Sequence, residues 1–119
     1  MVPGPIFLPF FMDNHEDHRA VNKALAAAYG KDNADFMIYA YPVWFPLYPN
    51  VLSDISGAWE TKKKAIECYK SQLAVRDYVQ MAKSLGQYWG EVKGRGIKIA
   101  ETFFRASAGE YFALVNKGQ

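Results

Sequence analysis

The sequence predicts an α/β fold: an open sheet in which a βαβ unit is followed by two long helices and a final strand. Three observations carry that expectation. The apolar run Ile6 to Phe11 reads as a buried strand. Val21, Ala24, Leu25 and Ala28 then recur at helical spacing. A second strand-like run, Asp35 to Tyr41, follows the helix. Strand, helix and strand in this order require parallel strands and a right-handed crossover.

The first strand contains Pro9, which lacks a ladder donor, so it is expected to be short, at an edge or irregular near its end. Asp13-Asn14 is a turn. Asn14 is the expected cap of the first helix, with Asp17 three residues on as its return partner. That helix runs to about Tyr29, and Gly30 is placed as its C-terminal cap. Pro42 to Asn50 is a loop rich in proline and aromatic residues. Val51 to Ile55 suits a short strand. Ser53 or Ser56 then caps a helix from about Gly57 to Gln72, with Trp59, Ala65, Ile66 and Tyr69 on its buried side. After a break at Leu73 to Val75, a second long helix covers Arg76 to Val92. Its stripe of Met81, Leu85, Trp89 and Val92 reads as core or a helix–helix contact. Ile97 to Arg105 is the last strand, and Ala108 to Val115 a short terminal helix.

The chain has 119 residues, 50% of them hydrophobic and 16% aromatic, which suits one globular domain. Its net charge of +2 is spread along the chain, so no basic patch points to nucleic acid. No apolar run approaches the roughly 20 residues of a membrane span, and Met1 to Pro5 lacks the features of a signal peptide. The single cysteine, Cys68, excludes an internal disulfide and agrees with a cytoplasmic location. It reads as a small buried residue and not a nucleophile, since no histidine neighbours it.

Both histidines lie three residues apart, in Asp13-Asn14-His15-Glu16-Asp17-His18. A strand that ends in two histidines and opens a helix is a common frame for a metal or acid/base site. The carboxyl end of a strand is where open sheets place ligands. At this spacing in the first helical turn, His15 and His18 face the same way. The positive end of the helix disfavours imidazolium and keeps a ligand histidine neutral. Asp17 is the residue expected to hold an imidazole in one tautomer. The plain alternative is a set of polar residues at an exposed helix start.

Several motifs in order resemble the zinc-dependent de-N-acetylases of the LmbE-like or PIG-L-like family. Asp13 to Val21 resembles that family's His-Pro-Asp-His-Arg-Ala-Val segment. Trp44-Phe45-Pro46-Leu47-Tyr48-Pro49-Asn50 looks like its aromatic and proline loop. Asp54-Ile55-Ser56, Trp59 to Ala65 and Cys68 to Gln72 look like the segment after it, and Ala100 to Arg105 like its closing strand. The resemblance implies a partial Rossmann-like sheet and only the C-terminal part of the family's domain, an incomplete single domain over residues 1–119. It implies a hydrolase that releases acetate, with zinc as cofactor and an acetylated amino-sugar-type substrate. His18 would be a zinc ligand. His15 would stabilise the oxyanion or protonate the leaving amine. The family's His-Pro-Asp-Asp motif, which supplies its other ligands and its general base, has no counterpart in this sequence. The chain alone is therefore expected to be inactive. Glu16 stands in place of the family's proline. Asp13 stands where some members carry a catalytic tyrosine, so that role does not transfer.

Asp13 and Asp54 are the remaining acids considered as substitute ligands, although neither matches a family ligand position. Trp44, Phe45 and Tyr48 either form a wall of a sugar-binding cleft, or close the core or pack on a neighbouring subunit. Two other readings remain open. The chain is a non-catalytic interaction module, pairing with itself or a complementing chain through its uncovered first strand. Alternatively, two copies share one zinc site, each contributing two histidines.

Overall fold

A computed structural model describes residues 4–32, 35–44 and 47–118. The strands are β1 (Ile6–Pro9), β2 (Met37–Tyr41), β3 (Val51–Asp54) and β4 (Ala100–Ser107). The helices are α1 (Glu16–Asp32), α2 (Trp59–Glu67), the single turn α3 (Lys70–Leu73), α4 (Tyr78–Val92) and α5 (Ala108–Lys117), with a 3-10 turn at Ser56–Ala58. The sheet order is β1-β2-β4-β3. The first pair is parallel, as a βαβ unit requires, and the closing strand β4 runs antiparallel to β2. The architecture is the expected α/β open sheet. Among the described residues, no helix is long and apolar enough to cross a membrane.

The chain divides into two compact units. One holds the chain up to Val51 and from Thr102 onward; the other is Leu52–Glu101. In the first unit, Leu8, Ile38, Ala40 and Ala106 form one face of the sheet and pack on Ala26 of α1 and Tyr111, Phe112 and Val115 of α5. Alanines on the sheet and the helices let the layers approach closely. On the opposite face, the Phe7 ring stacks on Tyr39 at 5.0 Å, and Phe103 meets both rings edge-on.

β1 is short and at one end of the sheet, and Pro9 fits there for a definite reason. The Phe10 N–H donates to Tyr41 O at 2.9 Å, so by alternation the missing N–H of Pro9 falls on the outer side. The Pro9 carbonyl is taken by the Asn22 side chain at 2.7 Å. The exposed edge is thereby partly closed to a further strand.

Four helix expectations need correction. Gly30 does not cap α1, which continues through Asp32. The helix buries Asn22 and Ala26, while Val21 of the expected stripe is 44% exposed. Asparagine carries no apolar signal, so pattern reading placed the buried face one residue out of phase. In the second unit the single long helix expected over Gly57 to Gln72 is broken at Cys68-Tyr69, and Cys68 is exposed, with its Sγ 3.3 Å from Lys64 O.

α4 begins at an Asp77 cap and is also turned from its predicted orientation. Met81, Leu85 and Val92 are exposed, whereas Gly86 and Gly90 are buried. The absent side chains at these glycines let the Ile97–Ala100 backbone lie directly against the helix.

Candidate functional site

The histidine corner sits where β1 gives way to α1. After Phe10, a turn closed by the Asp13 N–H on Phe10 O (3.0 Å) carries the chain into the helix. Arg19, one helical turn on, clamps the corner from outside. Its Nη1 donates to the carbonyls of Asp13 (3.1 Å) and Asn14 (2.9 Å). α1 is capped by His15 itself: its carbonyl accepts the Arg19 N–H, and its Nδ1 accepts the Asp17 N–H at 3.1 Å. Histidine does the work expected of Asn14 because the Asp13 carboxylate already holds the His15 N–H at 2.9 Å and sets the approach of the chain.

Asp13 is the centre of the corner. Its side chain has no solvent exposure. Oδ1 accepts the His15 N–H and lies 2.9 Å from His18 Nδ1. Oδ2 accepts the Trp44 N–H at 3.0 Å. Burial alone would raise the carboxyl pKa. The N–H groups of His15 and Trp44, together with His18, outweigh that and hold it below the usual carboxylate value. The His15 and His18 rings stack, with centroids 4.7 Å apart and planes 30° from parallel.

Beneath the corner runs a buried polar chain. Asn22 Nδ2 donates to Pro9 O at 2.7 Å and to His18 O at 2.8 Å. The Tyr111 hydroxyl on α5 donates to Asn22 Oδ1 at 2.6 Å. Burial pushes that phenol well above its ordinary pKa, so it remains a donor. β1, α1 and α5 are thus pinned together directly below His18.

The structure brings His15 and His18 together, as the spacing predicts. The carboxylate against an imidazole is Asp13, however. Asp17 is exposed and meets His15 through its backbone N–H. Trp44 belongs to the corner through its backbone, and its side chain is partly exposed. Tyr48 is exposed, and Phe45 lies outside the described residues. Asp54, in the other unit, accepts from the Ser56 N–H and hydroxyl at 3.0 and 2.6 Å and so serves a turn. Asn22, Tyr111 and Arg19 were not singled out from sequence. Only Asp13-x-His15, the spacing of a side-chain turn onto the second residue along, hinted at the arrangement.

Among the described residues, no group of three or more His, Cys, Asp or Glu side chains is placed to hold a metal ion. The oxygens of Asp13 are committed to hydrogen bonds. What the corner offers is imidazole nitrogen, with His18 anchored through Nδ1 and Nε2 as its other ring nitrogen. An open cleft of about 500 Å³ lies beside it, walled by Phe11, Met12, Leu114, Arg19 and Lys117.

No family model matches the chain, and no curated protein does. A solved structure does: the conserved protein TT1542 from Thermus thermophilus, with a TM-score of 0.67 and 26% identity, over 86% of this chain and 51% of that one. The two share an α/β fold. The present chain therefore spans about half the length of that structure.

Proposed function

We propose that this chain is one part of a zinc-dependent de-N-acetylase domain of the LmbE-like or PIG-L-like kind, and that it supplies His18 as a metal ligand. The observation that carries the reading is the Asp13–His18 hydrogen bond at the carboxyl end of a parallel strand. A metal-bound histidine characteristically has its other ring nitrogen held by a carboxylate or carbonyl. The ordered motifs add support, and a structural neighbour about twice as long with an α/β fold agrees with the chain being one part of a larger domain.

Catalytic zinc uses three protein ligands and a water. The corner fits a single position of such a set, so the remaining ligands must come from outside the described residues. Bound there, zinc would polarise an amide carbonyl and acidify water. The chain's own contribution is narrower. Asp13 orients His18, and Arg19 and Asn22 fix the backbone around it. His15, stacked beside His18, would stabilise a developing oxyanion or protonate a leaving amine. The substrate class is an acetylated amino sugar, and the compartment that suits a single free cysteine is the cytoplasm.

The test is complementation. Combined with a segment carrying a His-Pro-Asp-Asp motif, the chain should bind zinc and release acetate from N-acetylglucosaminyl compounds, and His18→Ala should abolish both. A stable complex with no zinc-dependent acetate release would count against the proposal.

A second reading rests on β1, which ends the sheet with Phe7 55% exposed. A non-catalytic module would use that edge to bind a second copy or a complementing chain. Light scattering distinguishes the two: concentration-dependent association without zinc, lost in Phe7→Lys, favours the module.

A further inference from the structure

The hydrogen bonds of the corner fix more than ring positions. An ionised carboxylate can only accept, so the contact between Asp13 Oδ1 and His18 Nδ1 at 2.9 Å requires the proton on His18 Nδ1. A backbone N–H can only donate, so the contact between Asp17 N and His15 Nδ1 at 3.1 Å requires a bare Nδ1 on His15. In the neutral rings the remaining nitrogens follow. His18 presents a bare Nε2, and His15 presents Nε2–H.

We infer that the two stacked histidines hold opposite tautomers: Asp13 is a positioning residue that gives His18 a lone pair at Nε2, while the Asp17 N–H leaves His15 a donor there. Two like rings 4.7 Å apart thereby become chemically different. One takes an electron-pair acceptor, a metal ion or a proton; the other takes a lone-pair oxygen. Asp13 also seats the loop after β2 through the Trp44 N–H, so one buried side chain sets both the imidazole and the adjoining loop. The tautomers stand without the deacetylase reading. Their use in amide hydrolysis rests on it.

Alanine at position 13 removes the acceptor that holds the proton on His18 Nδ1. Without it the neutral imidazole is free to take its intrinsically favoured Nε2–H form. His18 should change to that form, while His15 keeps its own, held by the Asp17 N–H.

The experiment is long-range proton–nitrogen correlation on the labelled full chain, at a pH well above the reference histidine value of about 6.5. The wild-type chain should show His18 protonated at Nδ1 and bare at Nε2, with the reverse pattern at His15. Asp13→Ala should shift the His18 proton to Nε2 and leave His15 unchanged. The inference is overturned if both wild-type rings carry the same tautomer, a result that needs no variant to fold. It is also overturned if folded Asp13→Ala leaves the His18 proton on Nδ1, since something other than Asp13 would then fix it. Zinc chloride is a separate arm. No change at His18 Nε2 on adding zinc to the complemented chain sinks the zinc reading and leaves the measured tautomers as they are.

Discussion

Asp13 Oδ2 accepts the backbone N–H of Trp44 at 3.0 Å across 31 positions of sequence. The end of β1 and the loop after β2 are therefore joined by a carboxylate that also holds both histidines of the chain. Asp13→Ala leaves three part-buried donors without their acceptor. Each hydrogen bond to a charged group is worth about 1.5–3 kcal/mol, and stranded donors add to the loss. We expect Asp13→Ala to cost about 4 kcal/mol in urea unfolding. Asp17→Ala should cost under about 1 kcal/mol, as a first-turn acid on an exposed surface. Equal effects at the two positions would refute the central place given to Asp13.

The same carboxylate makes the fold acid-sensitive in a defined direction. Its pKa is lowered in the folded chain, because the N–H donors and His18 outweigh burial. A group depressed in this way contributes stability that is fully present above the unfolded value of about 3.9 and is lost as pH falls through the lower folded value. Stability should thus decline from about pH 5 downward. The decline should be shallower in Asp13→Asn, which has no proton to take up there. Urea midpoints measured at about pH 7, 5 and 3 for both chains give the comparison.

Below the corner, Tyr111 should show the opposite sign. Its pKa is raised by burial, so its contribution holds below the unfolded value of about 10 and falls away as pH rises beyond it. Tyr111→Phe removes the donor to Asn22 Oδ1 and should cost about 1–2 kcal/mol near neutrality. The variant should also lose part of the alkaline decline of the wild-type chain. If Asn22→Ala and Tyr111→Phe act through one bond, the double variant should be less destabilised than the sum of the singles.

The elements read well from sequence where one physical signal dominated. β1, β2 and the helix between them follow from apolar runs and spacing, and their parallel pairing follows from chain connectivity. Reading failed where polar groups do apolar work or where a missing side chain is the feature. Asn22 is buried because its amide meets Pro9 O, His18 O and the Tyr111 hydroxyl, which come from three separate elements. Asp17 and Asp13 both lie near His18 in sequence. Only the path of the turn shows that the earlier acid points inward and the later one outward. Cys68 was expected in the interior, but the break between α2 and α3 exposes it.

Glycine gives the sharpest check of the helix geometry. Gly30 lies within α1 with nothing within 4 Å of an added Cβ. Gly90 lies within α4, where an added Cβ would strike the carbonyl of Ile97. Helix propensity alone favours alanine by about 1 kcal/mol at both positions. Gly30→Ala should realise that gain, raising the urea midpoint. Gly90→Ala should lose it and more, by about 2 kcal/mol net, because backbone cannot yield as a flexible side chain would. Stabilisation at both would mean that α4 does not lie against the Ile97–Ala100 backbone. Destabilisation at Gly30 would restore it to the capping place that the sequence suggested.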